Sequence, residues 1–214
     1  MLSQCILQRL EAETGHYLSG WQAGFRKTRG CRDNILTLRT LLEDVLEQGE
    51  QVVATFIDYS AAFDSVSHRF LDEALKKAGA SNKSRTMFRA MYKVGSAFTA
   101  IADTDGGKVR SKKFQINRGV VQGDIVPPLY FILALQLILK RHATAENKGV
   151  QFGGHKVHTL GYAHDAGLID KMVATATKRV TAIAKGSRRR RHGNINNEDV
   201  ARAVTGPCHS GNSA

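Results

Sequence analysis

Apolar residues recur along this chain with helical and strand periods in turn, and the changes between them divide it into elements. In Ile35–Gln48, the residues Ile35, Leu38, Leu41, Leu42, Val45 and Leu46 fall on one helical stripe. Asp33 or Asn34 offers a cap at its start and Gly49 follows its end. Gln51–Asp58 gathers Val52, Val53, Phe56 and Ile57 into a short run that predicts a buried strand. A helix is expected over Ser67–Ala78, capped by Ser67 and closed by Gly79. Another starts near Ser81 and buries Met87, Phe88 and Met91. Ala97–Ala102 and Val109–Asn117 flank the turn-rich stretch Asp103–Gly107, which predicts a hairpin.

A glycine-bearing loop, Arg118–Asp124, leads into the most apolar run, Ile125–Leu139, which predicts a buried helix ending near His142. That run is too short for a comfortable membrane span and contains Pro127, Pro128 and Gln136, so no membrane partner is expected. A second hairpin joins Val150–Phe152 to Lys156–Leu160 through Gly153-Gly154. Gly161–Asp165 has the composition of a tight turn, Ala166–Asp170 of the returning strand, and Met172–Lys185 of a helix. Beyond Lys185 the pattern lapses. Gly186–His192 is a charge run and residues 193–214 keep no sustained period, which predicts a disordered basic tail over 186–214.

Composition narrows the class. The chain has 214 residues, 42% of them hydrophobic, enough to fill the core of one domain. Its 31 Lys+Arg against 19 Asp+Glu give a net charge of +12. That excess is uneven, +5 over residues 1–170 and +7 over residues 171–214. A basic balance suggests an acidic partner such as nucleic acid, and speaks to association rather than to fold. Cys5, Cys31 and Cys208 are odd in number and far apart, so neither a disulfide framework nor a zinc set is expected and a reducing, intracellular setting is the simpler one. Met1–Leu10 lacks the long apolar stretch of a secretory signal. Arg188–Arg191 has the composition of a nuclear address, and a solvated or out-of-frame end accounts for it equally well.

Two acids stand where a strand meets a turn: Asp58 in Phe56–Asp64 and Asp165 in Tyr162-Ala-His-Asp165. Brought together by neighbouring strands, they would repel unless a cation lay between them. Acids at strand ends also serve simply as turn caps, and spacing alone does not separate the two.

Five segments in order carry a more specific signal: Gln22-Ala-Gly-Phe-Arg-Lys-Thr-Arg29, Phe56–Asp64, Arg118-Gly-Val-Val-Gln-Gly-Asp124, Pro128-Leu-Tyr-Phe131 and Leu160-Gly-Tyr-Ala-His-Asp165. Over about residues 20–170 they resemble the reverse transcriptase of non-LTR (LINE-like) retrotransposons. The resemblance implies an α+β polymerase palm, an antiparallel sheet packed on helices, with residues 1–50 a partial fingers segment, 51–185 the palm, and no thumb. It implies RNA-directed deoxynucleotidyl transfer with an RNA template, a DNA primer, deoxynucleoside triphosphates and two Mg²⁺ ions. Asp58 and Asp165 would be the catalytic carboxylates and metal ligands. The backbone of Ile57 and Tyr59 would help hold metal and triphosphate, and Phe63 would gate against a ribose 2′-hydroxyl. Gln122 and Gly123 would shape the nucleotide pocket, while Arg29, with Arg26, would reach the triphosphate. Arg118, Lys112 and Lys113 are candidate nucleic-acid contacts, and in a catalytically silent binding module Lys108, Arg110, Lys112 and Lys113 along one hairpin, with Arg188–Arg191, would contact phosphates.

The sequence also departs from that pattern. His164 stands where the Y-A-D-D motif has its first aspartate, a metal ligand, and imidazole suits transition ions better than Mg²⁺. Pro127 replaces a usual serine at a helix start, where proline is tolerated. Set against the family pattern, the sequence is expected to lack the early fingers segments before Met1 and a thumb after the palm, and so to be a truncated and impaired polymerase. The alternative is a catalytically silent nucleic-acid-binding remnant. A zinc site of His155, His158 and His164 is a further option, although strand alternation puts His155 and His158 on opposite faces.

Overall fold

A helix that the apolar pattern does not announce opens the chain. In α1 (Leu2–Thr14) the buried residues are Ile6, Leu10 and Thr14, four apart, a stripe too narrow to stand out among polar neighbours. The computed structural model describes residues 2–59, 61–93, 95–102, 107–142, 149–188 and 200–205.

Helix α2 (Cys31–Glu47) starts earlier than its apolar stripe. Gly30 is its N-cap, and the Asp33 carboxylate accepts the Gly30 N–H at 2.8 Å, so Asp33 acts from within the first turn. Ile35 and Leu46 are 60% and 58% exposed, against the expectation that both lie on the buried face. The reason is a small core: Leu41 and Val45, flanked by Leu38 and Leu42, pack on Val52, Ala54, Val150 and Ile169, with Phe152 and Val157 partly buried at its margin. Strand β1 (Val53–Ile57) follows, then the short helix α3 (Ala62–Ser65) and α4 (His68–Lys77). Ser67 Oγ accepts the Phe70 N–H at 3.3 Å, the predicted cap of α4. In α5 (Asn82–Lys93), Ser84, Phe88 and Tyr92 form the buried row, and Met91, expected inside, is exposed. Glu13 ties α1 to α5 by accepting the Ser81 N–H and hydroxyl, both at 2.9 Å.

The first predicted hairpin forms as two short ladders. Strand β2 (Ser96–Ala97) pairs with β5 (Phe114–Gln115), and β3 (Ala100–Ala102) pairs with β4 (Lys108–Arg110). Residues 103–106 of its turn lie outside the described residues. Helix α6 (Pro127–His142) is apolar on nearly every side and is the central pillar, as its composition predicts. The second hairpin, β6 (Val150–Phe152) and β7 (His155–Val157), turns through Gly153 and Gly154 with φ of 54° and 78°, as a two-residue turn of its handedness requires. Strands β8 (Thr159–Tyr162) and β9 (Asp165–Asp170) form the third hairpin, and α7 (Val173–Arg188) packs behind it, running past the expected boundary at 185.

The main sheet has the order β10-β1-β9-β8, every pair antiparallel, with β10 (Val200–Thr205) on the outer edge of β1. That strand departs from the expectation of an unpatterned tail. Val-Ala-Arg-Ala-Val-Thr alternates with period two, and pairing supplies β1 with backbone partners along its second edge. Residues 189–199 and 206–214 of that tail, which hold the rest of the arginine run and Cys208, lie outside the described residues. One face of the sheet carries the large core, with Leu71, Leu75, Phe88, Ile132, Leu133 and Leu168 among its fully buried members. The other face carries the small core under α2. Among the described residues no helix is long and apolar enough to cross a membrane.

Candidate functional site

Register sets the site. Ile57 of β1 pairs with Ala166 of β9, so the next residue, Asp58, is carried to the position of Asp165. Tyr162 pairs with Asp165, leaving Ala163 and His164 as a two-residue turn. Ala163 has φ 54°, a left-handed conformation that costs a non-glycine residue about 1 kcal/mol or more.

What holds that turn is the segment Trp21–Gly24. The Ala23 N–H donates to the Gly161 carbonyl and the Gly161 N–H to the Trp21 carbonyl, both at 2.8 Å. Gln22 is fully buried, and its amide serves the turn twice. Its Oε1 accepts the Ala163 N–H at 3.1 Å, and its Nε2 donates to the Ala163 carbonyl at 3.3 Å. Oε1 also accepts the Gly24 N–H at 2.8 Å. A Cβ on Gly24 would overlap the Ala163 backbone, which is why glycine stands there. Asn34 Nδ2 adds a bond to the Gly161 carbonyl at 2.8 Å. The motif pattern puts Gln22 and Gly24 in a fingers segment without this role; a glutamine between Trp21 and Ala23, two residues from glycine on either side, is the available signal.

Asp58, His164 and Asp165 converge: one ligand atom from each lies within 4.8 Å of the others. The two carboxylates are exposed and the imidazole is half-buried. His164 Nε2 is 3.7 Å from Asp165 Oδ1, while Nδ1 is buried with no hydrogen-bond partner among the described residues. The imidazole stands edge-on to Phe63 at 5.8 Å between centroids, and Phe63 in turn packs on Phe131 at 4.4 Å and on Phe25 at 6.3 Å. With a neutral imidazole the cluster carries two negative charges and one nitrogen donor. That set suits one divalent ion and does not suit two Mg²⁺, which want oxygen ligands and a more negative site. His155 and His158 are not part of this cluster, and His158 Nδ1 is 2.8 Å from its neighbour Thr159 Oγ1.

The other sequence candidates differ in depth and in partners. Ile57 and Tyr59 bury their side chains in the large core. The loop before α6 docks on α3 and α4: the Gly119 N–H donates to Val66 at 2.8 Å, the Val120 N–H to Phe63 at 2.9 Å, and Arg118 bridges Ser67. Gly119 has φ 82° and sits against the Asp64 backbone, so no side chain fits there. His68 Nε2 lies 2.9 Å from the Gly119 carbonyl, and burial holds its pKa below the ordinary histidine value although that bond works the other way. Gln122 Nε2 donates to Asp64 Oδ1 at 3.2 Å, and Gly123, with φ 102°, faces open space. Arg26 donates to the Ser19 and Gln22 carbonyls at 2.8 and 3.2 Å, and Arg29 donates to the Gly20 carbonyl. Both guanidiniums are thus engaged with their own segment. Lys108, Arg110, Lys112 and Lys113 are exposed along the first hairpin, away from the carboxylates in sequence and ladder.

Residues 1–193 match the protein family described as reverse transcriptase (RNA-dependent DNA polymerase). Over 170 residues the chain is 28% identical to the retrovirus-related Pol polyprotein from type-1 retrotransposable element R2 of Popillia japonica, covering 79% of this chain and 23% of that protein. The corresponding R2 polyprotein of Nasonia vitripennis is 27% identical over 148 residues, covering 69% of this chain and 14% of its own length. The chain therefore spans less than a quarter of the length of these curated relatives. Among solved structures it is similar to apo telomerase from Candida tropicalis truncated from its C-terminal domain, with a TM-score of 0.63 at 13% identity, over 99% of this chain and 40% of that one. Telomerase from Candida albicans, in complex with a TWJ fragment of telomeric RNA, gives a TM-score of 0.57 at 11% identity, over 96% and 35%. At such identities the likeness is one of fold.

Proposed function

Given that the chain belongs to the reverse transcriptase (RNA-dependent DNA polymerase) family, as a reverse transcriptase domain of the non-LTR type, we propose that it is the palm, with part of the fingers, of an R2-like polymerase whose deoxynucleotidyl transfer is impaired. Its substrates in that reading are an RNA template, a DNA primer and deoxynucleoside triphosphates. One observation carries the proposal: Asp58 and Asp165 face each other across β1 and β9 with an imidazole where the motif calls for a further carboxylate. Charge that develops on a phosphoryl group during transfer needs cationic stabilisation held by the site, and a neutral ring holds less of it than a carboxylate.

The remaining residues have positioning work. Phe63, wedged between Phe25 and Phe131, is a rigid apolar stop beside the cluster, suited to refusing a 2′-hydroxyl. Gln122, braced on Asp64, and the open backbone at Gly123 leave room for a base pair to approach. Arg26 and Arg29 must exchange backbone carbonyls for phosphate oxygens to take part, a switch that guanidinium geometry permits. Primer extension on an RNA template, comparing this chain with His164→Asp, tests the proposal. Restoring the carboxylate is expected to raise extension by at least about tenfold, the equivalent of roughly 1.4 kcal/mol. Equal extension from the two chains, at any level, overturns the assignment of the defect to His164.

A silent nucleic-acid-binding role is the second reading, and the first hairpin favours it. Phe98 and Phe114 are 41% and 52% exposed there, and the Arg110 guanidinium lies 4.9 Å from the Phe98 ring centroid. Rings among cations form a stacking and phosphate-binding surface for single strands. RNA affinity that falls as salt rises supports this reading; affinity indifferent to salt rejects it.

A further inference from the structure

We infer that Asp58, His164 and Asp165 form a single-cation site selective for a borderline transition ion of the zinc or cobalt class over Mg²⁺. The inference rests on the reading of this cluster as the family's catalytic centre for the premise that a cation belongs there; the choice of ion comes from this chain's own donors. Three features select it.

The donor set comes first. One imidazole nitrogen with two carboxylates is a mixed set, and imidazole nitrogen favours zinc, cobalt and their neighbours, whereas Mg²⁺ favours an all-oxygen octahedron rich in water. Spacing comes second. A tetrahedral ion with bonds of about 2.0–2.1 Å has ligand atoms roughly 3.4 Å apart. His164 Nε2 and Asp165 Oδ1 are already 3.7 Å apart, and all three ligand atoms lie within 4.8 Å, so a rotation of the exposed Asp58 side chain closes the set. Three protein ligands with the outer side exposed is also the arrangement in which zinc keeps a position open. Charge comes third. Two carboxylates neutralise one dication, and a second would stand uncompensated.

The imidazole is aimed by its surroundings rather than by a hydrogen bond. Phe63 fixes one edge of the ring, the clamp from Gln22 fixes the turn, and burial of Nδ1 leaves Nε2 as the nitrogen that meets Asp165. Since Nδ1 has no acceptor among the described residues, the site lacks from them the outer support that strengthens structural zinc centres, and its affinity falls below theirs.

The test is metal binding to the full chain without nucleotide or primer, so its outcome is separate from that of primer extension. Titration calorimetry with Zn²⁺ and with Mg²⁺ is paired with visible absorption of added Co²⁺, and far-UV circular dichroism checks the fold of each variant. The expected result is one Zn²⁺ or Co²⁺ per chain and preference over Mg²⁺. His164→Asp should weaken Zn²⁺ by at least the roughly tenfold that even an outer partner costs, and should strengthen Mg²⁺. His164→Asn should weaken Zn²⁺ as well, keeping the test open if the first variant misfolds. His155→Ala should change nothing. Equal affinity for Mg²⁺ and Zn²⁺, absence of Zn²⁺ binding, or Zn²⁺ binding that survives both His164 substitutions overturns the inference.

Discussion

The two ends of the β8–β9 hairpin hold carboxylates in opposite circumstances. At the end away from the turn, closed to solvent, Asp170 and Arg179 are both fully buried side chains paired at 2.7 Å. The same guanidinium donates to the Ile169 and His158 carbonyls at 3.2 and 2.8 Å and to Thr159 Oγ1 at 3.1 Å, so it ties α7 to β9 and to the β7–β8 junction. At the turn end, open to solvent, Asp58 and Asp165 are exposed and have an imidazole beside them. A carboxylate supplied with its own guanidinium belongs to the architecture. Carboxylates turned toward one another at a surface leave their countercharge to come from outside.

Substitutions at the two ends should therefore differ in kind. Arg179→Met should have the largest effect, a loss of about 3–5 kcal/mol in urea unfolding, because it strands a buried charge and several acceptors. A loss below about 1 kcal/mol would erase the contrast. Gln22→Ala comes next. It leaves the Ala163 N–H, the Ala163 carbonyl and the Gly24 N–H without their partner, for an expected cost of about 1–3 kcal/mol and faster amide exchange at Ala163.

Acidification sharpens the closed end further. Burial, then the positive charges of Arg179 and Lys156, holds the His158 pKa below its ordinary value. The unfolded chain thus takes up a proton that the folded chain resists. Stability is full above about pH 6.5 and falls as pH drops through the folded value. His158→Gln should flatten part of that slope between pH 7 and 5 in unfolding midpoints; the part due to His68, also held low by burial, should remain. Asp58→Asn should be the smallest change, within about 0.5 kcal/mol, since it removes an exposed charge that has another carboxylate as neighbour. A large loss there would make the open end architectural too.

The sequence carried the frame of this molecule well where one physical signal dominated. Ser67 and Gly79 bound α4, the glycine pair turns β6 into β7, and the apolar mass of α6 could belong only inside. It failed where burial depends on what lies opposite. Ile35, Leu46 and Met91 are as apolar as their buried neighbours, yet all three stay exposed. Ile6 and Leu10 make α1 on too few apolar residues to register. At the site, motif order located Asp58, His164 and Asp165, which the register of β1 on β9 brings together. Nothing local distinguishes Arg179, buried, from Lys178 beside it, exposed, because only the fold supplies Asp170 and the carbonyls that pay for its burial. Gln22 was hidden for the same reason: Ala163, which it clamps, lies 141 positions away.

The unequal cores on the two faces of the sheet have a kinetic consequence. Local opening costs least where the fewest apolar groups must be re-solvated, so α2, held on Leu41 and Val45, is the element that should come away before α4 or α6. Asn34 travels with it, and the Gly161 carbonyl then loses one of its two donors while the Trp21–Gly24 strap keeps the other. Breathing of a helix on the far side of the sheet is thereby transmitted to the turn that carries His164, as a change in how tightly that turn is sprung.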